Sequence, residues 1–145
     1  QTSEGAIDPT WSPNAQQIAF ATNAGGRTQI WTVNADGSKP SPLLQDNLET
    51  GGRSSWSPDG MWIAFYAGPQ ANHNIYMVGY NGGSLQQLTN GGDNLAPSFS
   101  PDGAWLTFTS YRDGNNEIYV LRLADMHVWR ITNNSLSDWQ PRWGP

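Results

Sequence analysis

Few residues in this chain could do covalent chemistry, and their spacing gives most of them another reason to be there. A nucleophilic serine needs a base and an orienting acid. Here Ser12, Ser57 and Ser100 recur in one fixed setting, each followed by proline, and no Gly-x-Ser-x-Gly elbow occurs. Lys39 is the sole lysine and has no glycine-rich phosphate loop beside it. Cysteine is absent, which excludes disulfides, thiol catalysis and thiolate metal sites. The two histidines, His73 and His127, have no partners spaced as a zinc site needs, so both read as surface or rim residues. Nothing marks a pair of carboxylates for glycoside cleavage. The sequence therefore predicts no catalytic residue and no metal site: the chain reads as something other than an enzyme.

One loop is richer. In Arg112-Asp-Gly-Asn-Asn-Glu117, the side chains of Asp113, Asn115 and Glu117 alternate as oxygen donors do in calcium loops, which makes calcium the one candidate cofactor. A full calcium loop needs more ligands in register, and the corresponding stretches Thr22 to Thr28 and Ala67 to His73 carry no carboxylate. Turn capping by Asp113 and a cross-strand bond from Glu117 is the favoured reading. The stronger candidates for binding are aromatic: Trp62, Trp105, Tyr66 and Tyr111, with Arg112 beside the last. Exposed aromatics among Asn and Gln make platforms for peptide side chains or sugar rings. The competing explanation for Trp62 and Trp105 is that they cover the sheet surface.

What must position these residues is a repeat. Trp11-Ser-Pro-Asn, Trp56-Ser-Pro-Asp-Gly and Phe99-Ser-Pro-Asp-Gly open three copies, and Trp143-Gly-Pro145 opens a fourth. The anchoring aromatics lie 45, 43 and 44 residues apart. Counting from each anchor, Ile18, Ile63 and Leu106 align, as do Phe20, Phe65 and Phe108. So do Ile30-Trp31, Ile75-Tyr76 and Ile118-Tyr119, then Val33, Val78 and Leu121, with Leu44, Leu88 and Ile131 closing the copies. Trp62 and Trp105 occupy one matched place, where the first copy has Gln17. Tyr66, Tyr80, Tyr111, Arg112, Trp129 and Trp139 break the repeat, so the fold does not account for them.

Between these positions the chain alternates at period two in short β-branched and aromatic runs, and no helical period is sustained. Ser57-Pro-Asp-Gly60 and Ser100-Pro-Asp-Gly103 are tight-turn sequences, for which Asp59 and Asp102 need no further explanation. Asp36-Gly37 and Asn81-Gly82 are hairpin turns, whereas Ala124-Asp125-Met126 in the third copy requires a turn of another type. Each copy thus reads as four antiparallel strands. A period in the forties with four strands per repeat is the signature of a propeller blade, and one such sheet must stack on neighbours to bury its faces. The expected fold is all-β: repeats at approximately 6–50, 51–93 and 94–137, and the first strand of a fourth at 138–145.

Composition narrows the function. The net charge is −5 with only 13% charged residues, which argues against nucleic acid, a partner that wants clustered Lys and Arg. Eight Trp, five Tyr and four Phe argue against disorder. No apolar run approaches the roughly 20 residues that span a bilayer, and the N-terminus, Gln-Thr-Ser-Glu-Gly, reads as that of a processed chain or of an excised fragment.

These residues resemble the WD40-like repeat of the TolB family, in which Pro-x-(Trp/Phe)-Ser-Pro-Asp-Gly is followed by Ile-Ala-Phe, Ile-Tyr, Asp-Gly and Leu-Thr. Pro97-Ser-Phe-Ser-Pro-Asp-Gly103, Leu106-Thr-Phe108, Glu117-Ile-Tyr119 and Ile131-Thr132 carry the resemblance. It implies a six-bladed propeller, and it implies binding or scaffolding in a periplasmic or extracellular setting. Such propellers also serve in peptidases and lyases, so fold alone does not assign activity. Three blades form an open arc with two bare apolar flanks. The expectation is that two copies meet as a homodimer and close one ring, with a protein or peptide as ligand through the loops and central channel. A lectin-like use of the rim aromatics on glycans, or a place within a larger hydrolase or lyase, is the alternative.

Overall fold

A computed structural model describes residues 5–24, 26–45 and 48–144. Gln1 to Glu4 and Pro145, which entered the readings of the N-terminus and of the fourth anchor, lie outside them. The described residues form twelve strands: β1 (Ala6–Trp11), β2 (Gln17–Thr22), β3 (Gln29–Asn34), β4 (Ser41–Pro42), β5 (Thr50–Trp56), β6 (Trp62–Ala67), β7 (Asn74–Gly79), β8 (Gln86–Gln87), β9 (Asn94–Phe99), β10 (Trp105–Ser110), β11 (Glu117–Arg122) and β12 (His127–Arg130). They form three four-stranded antiparallel sheets, each in sequence order. The all-β reading and the four strands per copy hold. The second copy opens at Thr50, one residue earlier than the spacing indicates.

The first strand of each sheet breaks register, between Ile7 and Thr10, Thr50 and Ser54, and opposite Thr107 to Thr109 in β10. Such irregularities bend a strand and increase its twist. The bend recurs at one place: Asp8, Ala96 and Gln140 all have positive φ, at 50°, 52° and 54°, and lie a whole number of repeats apart. Gly52, one residue before the matched Arg53 of the second blade, sits where a Cβ would lie 2.5 Å from Asp8 Oδ2, so a side chain there would press on the first blade.

Two cores lie between the blades. In the first, Ala19, Ala21, Ile30, Leu43 and Leu44 of one blade meet Ile63, Phe65, Ala67 and Val78 of the next. In the second, Ala64, Ile75 and Leu88 meet Phe99, Leu106, Phe108, Tyr119 and Leu121. Small residues on one face receive aromatic rings from the other, as close packing requires. The closing position of the first copy is Leu43, not Leu44. Leu43 N donates to Ile30 O at 2.9 Å, as Leu88 N does to Ile75 O and Ile131 N to Ile118 O, both at 2.8 Å. Both leucines are buried, which is why the apolar pattern alone could not choose between them.

Among the described residues, two faces have no such partner. On the first blade the matched residues Ile18, Phe20, Trp31 and Val33 are only half-buried, and Trp11 is 56% exposed. On the third, Ile131 is 58% exposed. Residues 138–143, read from the sequence as a fourth first strand, lie against this third blade without pairing into a ladder. Asp138 N donates to Asn116 O at 2.7 Å, as Thr50 N does to Thr28 O and Asn94 N to His73 O. Gln140 N donates to Thr109 Oγ1 at 2.9 Å. The segment thus takes the place of a first strand, and among the described residues it pairs with no second strand.

Candidate functional site

The sequence candidates separate onto the two ends of the blades. Trp62 and Trp105 begin second strands, at the end where the Ser-Pro-Asp-Gly turns lie. Trp62 is half-buried and packs on the second core beside Met77 and Leu123, so covering the sheet accounts for it. Trp105 has a different setting. Its ring centroid is 5.4 Å from that of Trp129, and the Arg122 guanidinium lies 5.7 Å from the Trp105 ring and 5.1 Å from the Trp129 ring. Asp125 holds that guanidinium through both carboxylate oxygens, and the His127 ring lies 4.0 Å from that of Trp129, tilted by 52°. The cluster stands at the edge of the bare third-blade face, and cation–π contact fixes its geometry.

Tyr66, Tyr111 and Arg112 stand at the opposite end. Tyr111 is 51% exposed. Arg112 is pinned: its guanidinium lies 4.6 Å from the Tyr119 ring, Nε donates to Ser110 Oγ at 3.0 Å and Nη2 to Asn94 Oδ1 at 2.9 Å. Those bonds tie the third blade to the start of its own first strand.

The loop considered for calcium is also built into the fold. Glu117 is fully buried and accepts hydrogen bonds from Thr132 Oγ1, Asn134 N, Asn115 Nδ2 and Arg130 Nη2. Those donors, the Thr132 hydroxyl foremost, pull its carboxyl down to about 2 from an ordinary value of 4.5. Asp113 takes the Tyr119 hydroxyl and Arg130. That hydroxyl is pushed up to about 12, by burial first and then by its bond to Asp113. Asn115 turns its amide nitrogen, not its oxygen, toward Glu117. The positive charge among these oxygens is the Arg130 guanidinium. Asn74, at the matched place in the second blade, plays a similar part with Thr89, Gly91 and Asn94.

Sequence reasoning missed a site beside Tyr66. A cleft of about 650 Å³ between the first two blades is lined by Glu49, Gly51, Tyr66, Gln70 and His73, among others. The Tyr66 ring lies across Gly51, where a Cβ would come within 1.7 Å of it, and its hydroxyl accepts from Gly52 N at 3.1 Å. His73 meets the Tyr66 ring edge-on at 5.4 Å, and its Nδ1 sits 2.6 Å from Asp93 Oδ1. A carboxylate orienting an imidazole is half of a catalytic constellation, but among the described residues no serine or threonine of the cleft is hydrogen-bonded to that imidazole. Asp93 lies 20 residues beyond His73, in the approach to the next blade, so only the stacking of blades brings the pair together. Among the described residues no three His, Asp or Glu side chains converge as metal ligands.

No protein-family model matches the sequence. Solved structures do. The chain superposes on a protein assigned as TolB from Agrobacterium tumefaciens with a TM-score of 0.85 and 29% identity, over 95% of this chain and 50% of that one. It superposes on TolB from Acinetobacter baumannii with a TM-score of 0.83 and 25% identity, over 96% of this chain and 35% of that one. An oligogalacturonate lyase in complex with manganese shares the fold at a TM-score of 0.72 and 17% identity, over 92% of this chain and 38% of that one. The chain thus spans between a third and a half of the length of these proteins.

Proposed function

We propose, on the premise that this is a partial TolB-like β-propeller, that the chain is a non-catalytic binding or scaffold module taking a protein or peptide at its loop end. The observation that carries the reading is the Tyr66–His73 cleft. It is concave, combines an aromatic ring with a carboxylate and a carboxamide, and offers an oriented imidazole with no nucleophile on it. Such a mix suits recognition of a polypeptide. A photo-crosslinker placed at Gln70 is expected to capture one defined polypeptide that the same group at Gln86, on the outer edge, does not. Equal labelling from both positions overturns the reading.

The two bare flanks support the second part of the proposal, a homodimer closing a six-bladed ring. The free face of the first blade carries Ile18, Phe20, Trp31 and Val33 at the places that Ile63, Phe65, Tyr76 and Val78 occupy in the first core. A second copy's third blade would receive them as the first blade receives its neighbour. Light scattering is expected to give twice the 15.9 kDa of the chain, and a monomer at micromolar concentration refutes the dimer. The module needs no cofactor, so EDTA or added calcium leaves its melting temperature unchanged. A shift upward with calcium would return the Asp113 loop to the metal sites. Resemblance to exported propellers supports a periplasmic or extracellular setting for the module.

The likeness to the lyase supports a second reading, in which these blades belong to a larger carbohydrate-active or peptide-cleaving propeller. Activity on pectic oligosaccharides that is lost in His73→Ala would favour it.

A further inference from the structure

Each pair of successive Ser-Pro turns encloses a groove, and the two grooves are built from matched residues. The groove between the second and third blades, of about 490 Å³, is walled by Pro58, Asp59, Trp62, Phe99, Asp102 and Leu123. The one between the first and second uses Pro13, Asn14, Gln17, Trp56, Asp59 and Tyr80 at the same places and is larger, about 620 Å³. Four replacements separate them: Gln17 stands for Trp62, Asn14 for Asp59, Trp56 for Phe99 and Tyr80 for Leu123. Three of them, Gln17, Asn14 and Tyr80, put a neutral hydrogen-bonding group where the second groove has an indole, a carboxylate or an apolar side chain. The repeat needs none of these changes, since the second groove folds without them.

Gln17, Asn14 and Tyr80 keep hydrogen-bonding capacity to spare, as does the neighbouring Gln16. Among the described residues, the carboxamides of Gln16 and Gln17 and the Tyr80 hydroxyl make no hydrogen bond within the protein. Asn14 Oδ1 is engaged by Ser12 Oγ and Gln16 N, which leaves its amide nitrogen to donate outward. Asp59 uses one oxygen for Ser57 Oγ and Met61 N, at 2.5 and 2.9 Å, and these donors keep its carboxyl below the usual range, so its other oxygen stays an acceptor. The Trp56 indole belongs to the same wall. It is 7% exposed and its Nε1 is buried, so it gives the wall ring surface and no donor. Tyr80, 45% exposed, and Met61, 54% exposed, give the groove an apolar side.

We propose that this groove binds a neutral oligosaccharide. Vicinal hydroxyls each donate and accept, which matches planar carboxamides beside a carboxylate that can only accept, while the C–H face of a sugar ring suits Tyr80. No Lys, Arg or His lines the groove, so phosphates and uronic acids have no counter-charge there. An extended peptide presents too few donors for this density of free groups. The volume lies within the range of small-molecule sites, about 300–1,000 Å³. The site is at the opposite end of the strands from the Tyr66–His73 cleft and stands or falls independently of the function proposed for it.

The test is calorimetric titration of the chain with cellotriose, mannotriose and chitotriose, repeated on Gln17→Trp and Tyr80→Ala. Gln17→Trp rebuilds the wall of the second groove and is expected to abolish binding with the melting temperature unchanged. Tyr80→Ala, at an exposed position, is expected to weaken it about tenfold. The proposal is overturned if none of the three sugars binds at millimolar concentration or if both variants bind as well as the parent. It is equally overturned if a proline-rich peptide binds the groove and the sugars do not.

Discussion

Replacing Phe65 by alanine is expected to destabilise the chain by about 3–5 kcal/mol, the range for truncating a buried phenylalanine. The midpoint of thermal unfolding should fall by roughly 10–20 °C for a domain of this size. Phe65 is fully buried in the first core, with its ring stacked on Tyr76 at 5.9 Å. The opposing blade offers Ala19 and Ala21, which cannot swell to fill the void, so the cavity stays. A variant melting within about 2 °C of the parent would mean that this interface does not hold the molecule together. Phe20 is the control built into the sequence, because it occupies the matched position on a flank that no other blade of the chain covers. Phe20→Ala should cost a small fraction of the Phe65→Ala effect in a lone arc. In a closed ring of two copies it should cost as much, and the melting midpoint should then depend on concentration.

The second large effect belongs to Glu117. Exchanging it for leucine leaves Arg130, Thr132, Asn134 and Asn115 facing an apolar group, so four donors lose one acceptor in a buried place. Unpaired buried groups are costly. The expected result is loss of amide protection across β11 and β12, read by hydrogen exchange, while the first two blades keep theirs. Protection retained in β11 would show that the network is dispensable. The same residue sets a pH dependence. Its carboxyl titrates at about 2 in the folded chain and near 4.5 when unconstrained, so the unfolded chain takes up the proton first as pH falls. The stabilisation is complete above about 4.5 and is lost progressively toward 2. Asp59, Asp102 and Asp125 are depressed too and steepen the same acid limb. In Glu117→Gln, melting temperature against pH should be flatter across that window, and an unchanged slope refutes the assignment.

The repeat made the blades legible, because a strand's apolar alternation and its turn residues are local properties. Ile18, Ile63 and Leu106 reveal their equivalence without any knowledge of what they touch. Leu43 and Leu44 show the limit. Two adjacent apolar residues satisfy the pattern equally, and only the backbone bond to Ile30 decides. The third-copy turn was readable as an exception: Met126 takes a positive φ of 59° in a loop one residue longer than those holding Gly37 and Gly82. The His73–Asp93 pair was not readable, since its members belong to successive blades and meet only through stacking. Arg112 was noticed as a residue outside the repeat, but its bonds to Asn94 and Ser110 were not readable. A signal for the Glu117 network did exist. Gln29, Asn74 and Glu117 are all polar at one matched place that opens the third strand, a regularity that apolar counting passes over. Gln17 and Tyr80 likewise stand out as departures from the repeat, although only the comparison of two grooves gives those departures a meaning.

The outermost strands, β4 and β8, are two residues long, and β4 ends in Pro42, which has no amide hydrogen to offer. A long, flat margin is where stray polypeptides add on and fibrils are seeded. Here the first two blades present almost no such template along their outer circumference. The molecule can therefore keep a surface rich in β-structure at high concentration without templating amyloid from that side.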